Sequence, residues 1–102
     1  MLHTLSIKTS SRVELIDITY QIKKIVQDNN FVEGLACLFV PHTTAALTIN
    51  EAADPSVKTD IIAKLNKMIP AREGYSHLEG NSDAHIKSSF FGPQLTIIVE
   101  DS

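Results

Sequence analysis

Leu35-Ala36-Cys37-Leu38-Phe39-Val40 is an unbroken apolar run that stops at Pro41. It is too short for a stable core helix, and a continuous apolar pattern, as opposed to an alternating one, belongs to a strand covered on both faces. The run predicts a central strand over 35–40 and obliges the rest of the chain to bury it. Cys37 falls inside it. As the only cysteine of the chain, it has no internal disulfide partner, and among such neighbours it reads as a small buried hydrophobe with no catalytic role.

Hydrophobic periodicity arranges the remainder around that strand. Leu2 to Thr9 alternates, with Leu5 and Ile7 against Thr4, Ser6 and Lys8, the period of a strand with one wet face; Ser10-Ser11 then makes a turn or a second short strand. From Asp17 the spacing turns helical: Ile18, Ile22, Ile25 and Val26 share a stripe, Asp17 or Thr19 caps the start, and Asp28-Asn29-Asn30 ends it. Thr44 to Glu51 alternates again, with Ala45, Leu47 and Ile49 on one face and Thr44, Ala46, Thr48 and Asn50 on the other, and reads as a strand. Asp54-Pro55-Ser56 opens a helix, because Asp caps orphan amides and a proline in the first turn loses no hydrogen bond. Val57, Ile61, Leu65 and Met68 continue that helix and Pro70 closes it. Residues 71–83 read as a loop. Asn81, Ser82 or Asp83 caps a short helix through Ser89, Gly92-Pro93 ends it, and Leu95, Ile97 and Val99 form a last strand. The expected fold is α+β: one domain over 1–102 with a mostly antiparallel sheet, two main helices and one short helix.

The charge balance narrows the partners. Twelve acidic against nine basic side chains leave a formal net charge of −3, with no run of Lys or Arg to track a nucleic-acid backbone or an anionic membrane. No apolar run approaches a membrane span, and the N-terminus lacks the charged and apolar regions of a secretory signal, so the chain reads as cytoplasmic. Two strands in need of cover and helices that each cover one stripe predict a homo-oligomer, since part of that apolar surface must be buried between copies.

The chemistry concentrates in His77-Leu78-Glu79-Gly80-Asn81-Ser82-Asp83-Ala84-His85, with His42 in Pro41-His42-Thr43-Thr44. Neutral imidazole is the commonest nitrogen ligand of zinc, and three histidines leave one coordination position open for chemistry. Glu79 and Asp83 stand beside them as oxygen ligands or hydrogen-bond partners of the rings. Spacing alone matches no tight metal motif and is equally that of three solvated loop histidines. Glu51 suits a general base or acid beside a metal-bound water. Thr44, Thr48 and Asn50 project from one strand face, where hydroxyls and an amide bind ligands but also simply favour strands. Helix starts near Pro55 and Ala84 would suit a phosphate. His3, on the first strand, is a face residue.

The run Gly34 to Glu51, through Pro41-His42-Thr43-Thr44 and Asn50-Glu51, closely resembles the YjbQ-like family, later named for a secondary thiamine-phosphate synthase activity. A second block agrees: His77, Gly80-Asn81, Ala84-His85, Ser88 and Gly92-Pro93. The resemblance spans Asp17 to Asp101. It implies a homotrimeric α+β protein with His42, His77 and His85 as metal ligands, Asn50, Glu51 and Asn81 lining a pocket, and Thr44, Asp83 and Ser88 as supporting polar groups. The implied reaction joins a hydroxymethylpyrimidine diphosphate to a thiazole phosphate and releases pyrophosphate.

Zinc is the metal that imidazole ligands favour, whereas magnesium prefers oxygen and would arrive with the substrate. Family members continue past Val99-Glu100-Asp101 into a Gly-Thr-Trp-Gln segment and closing strands, and this sequence has no Trp; the expectation is a fragment or a shortened member. Two functions follow from these residues: a metal-assisted enzyme acting on a small phosphorylated molecule, or a non-catalytic metal- or phosphate-binding oligomeric module.

Overall fold

Helix α1 (Thr19–Asp28) starts where the periodicity places it: the Asp17 carboxylate accepts from the Thr19 amide at 2.9 Å and from its hydroxyl at 2.6 Å. This computed structural model describes residues 1–100, so Asp101 of the Val99-Glu100-Asp101 stretch lies outside the described residues. At the far end of α1 the Asn29 side chain donates to the Ile25 carbonyl at 2.8 Å, and Asn30 takes a left-handed turn at φ 53°. The chain then reverses into β1 (Gly34–Phe39).

Helix α2 (Pro55–Met68) is capped by Asp54, which accepts from the Ser56 amide at 2.9 Å and hydroxyl at 2.7 Å. Ile69, directly after it, is the one buried apolar residue among the described residues, 5% exposed. Helix α3 (Ser82–Phe91) follows the long loop. It is as long as α1 rather than short, continuing past Ser89 to Phe91 before Gly92 ends it at φ 94°, a conformation that favours glycine. Strand β2 (Gln94–Val99) then pairs antiparallel with β1, in register from Gly34 opposite Val99 to Phe39 opposite Gln94. The fold is α+β, with three helices and a two-stranded antiparallel sheet.

Four expectations are corrected. Residues 2–9 and 44–51 form no strand. Alternation says which face a strand would present, but a strand also needs a neighbouring backbone to take its amides and carbonyls. In 44–51 that neighbour appears once, where the Leu47 amide donates to Gly92 at 3.1 Å. β1 is not covered on both faces: Leu35 and Phe39 are 67% and 64% exposed, and Ile98, beside Leu35 on the same face, is 71% exposed. Cys37 shares this open face and is exposed rather than buried. Among the described residues, no helix is long and apolar enough to cross a membrane.

Candidate functional site

The loop before α3 is pinned at its base by Tyr75, whose hydroxyl donates to the Pro70 carbonyl at 2.6 Å. Burial, then the negative charges of Glu73 and Asp83, raise the pKa of that phenol above its ordinary value, which keeps it a hydrogen-bond donor. Gly80 turns the chain at φ 81°, and the Asn81 carbonyl accepts the first amides of α3, from Ala84 at 3.0 Å and His85 at 3.3 Å. This geometry brings His77, on the loop, against His85, in the first turn of the helix. Their rings meet edge to face, with centroids 5.5 Å apart at 75°. The two imidazoles line one cleft of about 350 Å³ with Tyr75, Ser76, Ser82 and Ile86. Glu79 stands outside the ring of His77, its carboxylate 3.7 Å from Nε2.

Asp83 supports the cleft from beneath. It is 1% exposed, and its two oxygens accept from Arg12 Nη2 at 3.0 Å and Lys87 Nζ at 3.3 Å. Burial works against its ionised form, but the hydrogen bond from Lys87 and the charge of Arg12 outweigh it, and the carboxyl is held below its ordinary range. Lys87, 8% exposed, also donates to Asn66 of α2 at 2.7 Å. Arg12 donates to the Gly80 carbonyl at 2.9 Å as well. A charged network thus fastens the irregular N-terminal segment and α2 to the start of α3. Asp83 is committed to that network, with both oxygens occupied. Asn81, at the helix start, keeps its Oδ1 buried with no donor among the described residues.

The other expected site residues stand apart from this cleft. His42 and Thr44 are exposed on a turn. Ser88 ties that turn to α3, donating to the Thr43 carbonyl at 2.7 Å. Asn50 and Glu51 are exposed, and Asn50 Oδ1 accepts from the Glu51 amide at 2.7 Å. None of these five lines the cleft.

A cation tests this arrangement. With zinc–nitrogen bonds of about 2 Å, two imidazoles on adjacent corners of a tetrahedron have centroids about 5 Å apart, close to the spacing of His77 and His85. The spacing matches two corners, while the edge-to-face meeting of the rings at 75° would have to turn for their nitrogens to face one ion. The third histidine does not join them within one chain, since no group of three His, Cys, Asp or Glu side chains among the described residues is placed to hold a metal.

Arg12 and Lys87 were not legible as site supports. Lys87 had a local signal, an acid and a base four apart on an expected helix. Arg12 had none, because 71 positions separate it from Asp83.

Comparison with known proteins gives the family and the fold. The family model described as UPF0047 protein YjbQ-like matches residues 3–102. UPF0047 protein MJ1081 of Methanocaldococcus jannaschii is 54% identical, over 99% of this chain and 73% of its own length. UPF0047 protein YugU of Bacillus subtilis is 45% identical over 99% of the chain and 77% of its own. The crystal structure of an uncharacterized conserved protein of the same family from Clostridium acetobutylicum superimposes with a TM-score of 0.89 at 48% identity, covering 93% of this chain and 74% of that one. A family match over nearly the whole chain, with close relatives and a superimposable fold, places this chain in the YjbQ-like UPF0047 family.

Proposed function

We propose that the His77–His85 cleft binds a small phosphorylated molecule and that the protein is a transferase similar to a thiamine-phosphate synthase. The observation that carries this reading is the pairing of two imidazoles at 5.5 Å in a cleft that also presents the hydroxyl-bearing residues Tyr75, Ser76 and Ser82. In such a reaction the thiazole nitrogen forms a bond to the methylene carbon of the pyrimidine as the carbon–oxygen bond to diphosphate breaks, and the bonding pair leaves with the diphosphate. The barrier lies in the negative charge that the leaving group gains. Imidazole N–H groups, serine hydroxyls and the amide end of α3 are the groups that stabilise such charge. A divalent cation, when bound, would add positive charge at the same place, with His77 and His85 as its ligands from this chain.

His42 and Glu51 enter this reading through assembly. The open apolar face of Leu35, Phe39 and Ile98 favours a homo-oligomer, the trimer that the resemblance implies, and a neighbouring copy would then bring its own histidine turn and carboxylate to the rim of the cleft. Light scattering on micromolar protein is expected to give the mass of three chains. A mass of one chain would remove the shared site.

The catalytic reading is tested by supplying the two thiamine precursors with no added metal, with zinc and with magnesium. Wild type is expected to make thiamine phosphate, and His77→Ala or His85→Ala to lower the rate about a hundredfold or more. A wild-type rate no higher than that of a variant carrying both His77→Ala and His85→Ala refutes the transferase.

A further inference from the structure

The chain contains two arginines, Arg12 and Arg72, sixty positions apart, and both line the same cleft. Its volume is about 350 Å³, and Ala71 and Gly80 complete its lining. Seven lysines carry the rest of the positive charge, so two guanidinium groups meeting in one hollow is not a consequence of a basic surface; the chain as a whole is acidic.

Each arginine has donors to spare. The hydrogen bonds of the Arg12 guanidinium leave from Nη2, to Gly80 and Asp83, so the other edge of its planar fork makes none among the described residues. Arg72 forms no ion pair among them. The neighbouring carboxylate of Glu73 lies 3.5 Å from the Tyr75 hydroxyl. One buried carboxylate, Asp83, answers both Arg12 and Lys87, so that three-residue network is net positive. The hollow is also kept open. A side chain at position 80 would point into empty space, but its φ of 81° favours glycine, and position 71 carries only a methyl.

We propose that the Arg12–Arg72 cleft is an oxyanion subsite that takes the phosphate or diphosphate group of a small molecule. A guanidinium offers a planar pair of N–H groups that matches the oxygens of a phosphate, and two of them converging on one opening suit a doubly charged group better than a single carboxylate. Gly80 lines this cleft and Ser82 lines the one that holds His77 and His85, so both hollows draw on one turn, Gly80-Asn81-Ser82. The subsite stands on its own residues and does not require the transferase reading.

The scarcity of arginine makes the test direct. In the nitrogen–proton NMR spectrum of the full chain, the arginine Nε–H region holds two resonances, and sodium pyrophosphate is titrated at constant ionic strength with sodium chloride as control. Both resonances are expected to shift and saturate with pyrophosphate and to ignore chloride. Arg72→Gln, an exposed residue whose loss leaves the Asp83 network intact, is expected to weaken the saturation of the Arg12 resonance about tenfold. The double variant His77→Ala, His85→Ala is expected to keep the wild-type response, which separates this subsite from the proposed reaction. The proposal is overturned by resonances that do not saturate, by an unchanged affinity in Arg72→Gln, or by loss of the arginine response in the double histidine variant.

Discussion

Asp83→Ala is expected to lower the stability of the fold by about 3 kcal/mol, because removing one partner of a buried ion network leaves the others uncompensated. Lys87, 8% exposed, would keep only the Asn66 side-chain oxygen for its charge, and Arg12 only the Gly80 carbonyl. For a domain of this size that is a fall of about 15 °C in melting temperature, readable by calorimetry. Asp83→Leu combined with Lys87→Met removes both buried charges and should recover much of the loss. A single variant as stable as wild type would mean that water reaches the network. The pH dependence follows from the direction of the shift. A carboxyl held below its ordinary value contributes stability that is fully present above the unfolded value, about 4, and that is lost as pH falls through the lower folded value. Wild type should therefore lose an increment of stability on acidification below about pH 4 that Asp83→Asn does not show.

Gly34→Ala is expected to cost about 2 kcal/mol. The residue opens β1 at φ 145°, where L side chains are strained, and a Cβ there would lie 2.6 Å from Phe31 Cζ. Phe31 sits at the end of the reversal out of α1, its amide bonded to Val26 at 3.1 Å, and its ring has to shift to admit the new carbon. Gly74→Ala is the control: it too has a positive φ, 67°, but a Cβ there meets nothing within 4 Å. Its cost should be about 1 kcal/mol, the backbone preference alone. Equal urea midpoints for the two variants would show that the Phe31 contact contributes nothing.

The helices were legible because their signals are local. Asp17, Asp54 and Asn81 each stand at the start of a helix, and Asn29 and Gly92 at two of the ends, so a window of a few residues holds the information. Strands β1 and β2 were legible as strands but not in their surroundings. Apolar content at Leu35, Phe39 and Ile98 says that a side chain prefers cover; it does not say whether the cover comes from this chain or from another. The candidate site divides in the same way. His77 and His85 lie on one loop and the helix it leads into, and their meeting could be read from the short separation. His42 and Glu51 depend on long-range placement, which a single chain leaves on a separate turn and an exposed segment. Arg12 and Arg72, far apart in sequence and close in the fold, carry no pattern that a scan along the chain would register.

The pairing of β1 with β2 bears on how the chain reaches this fold. Between Phe39 and Gln94, the first rung of the ladder, lies the whole of 40–93, with α2 and α3 inside it. Every backbone bond in that ladder is made only after this long segment has been closed into a loop, so the entropy of closure is spent before the first rung returns anything. The helices need no such closure. What shortens the search is the contact between them: once Lys87 of α3 reaches Asn66 of α2, the free contour between the strands is already folded back on itself. Lys87→Met is therefore expected to slow refolding as well as to shift its equilibrium, which stopped-flow refolding would read.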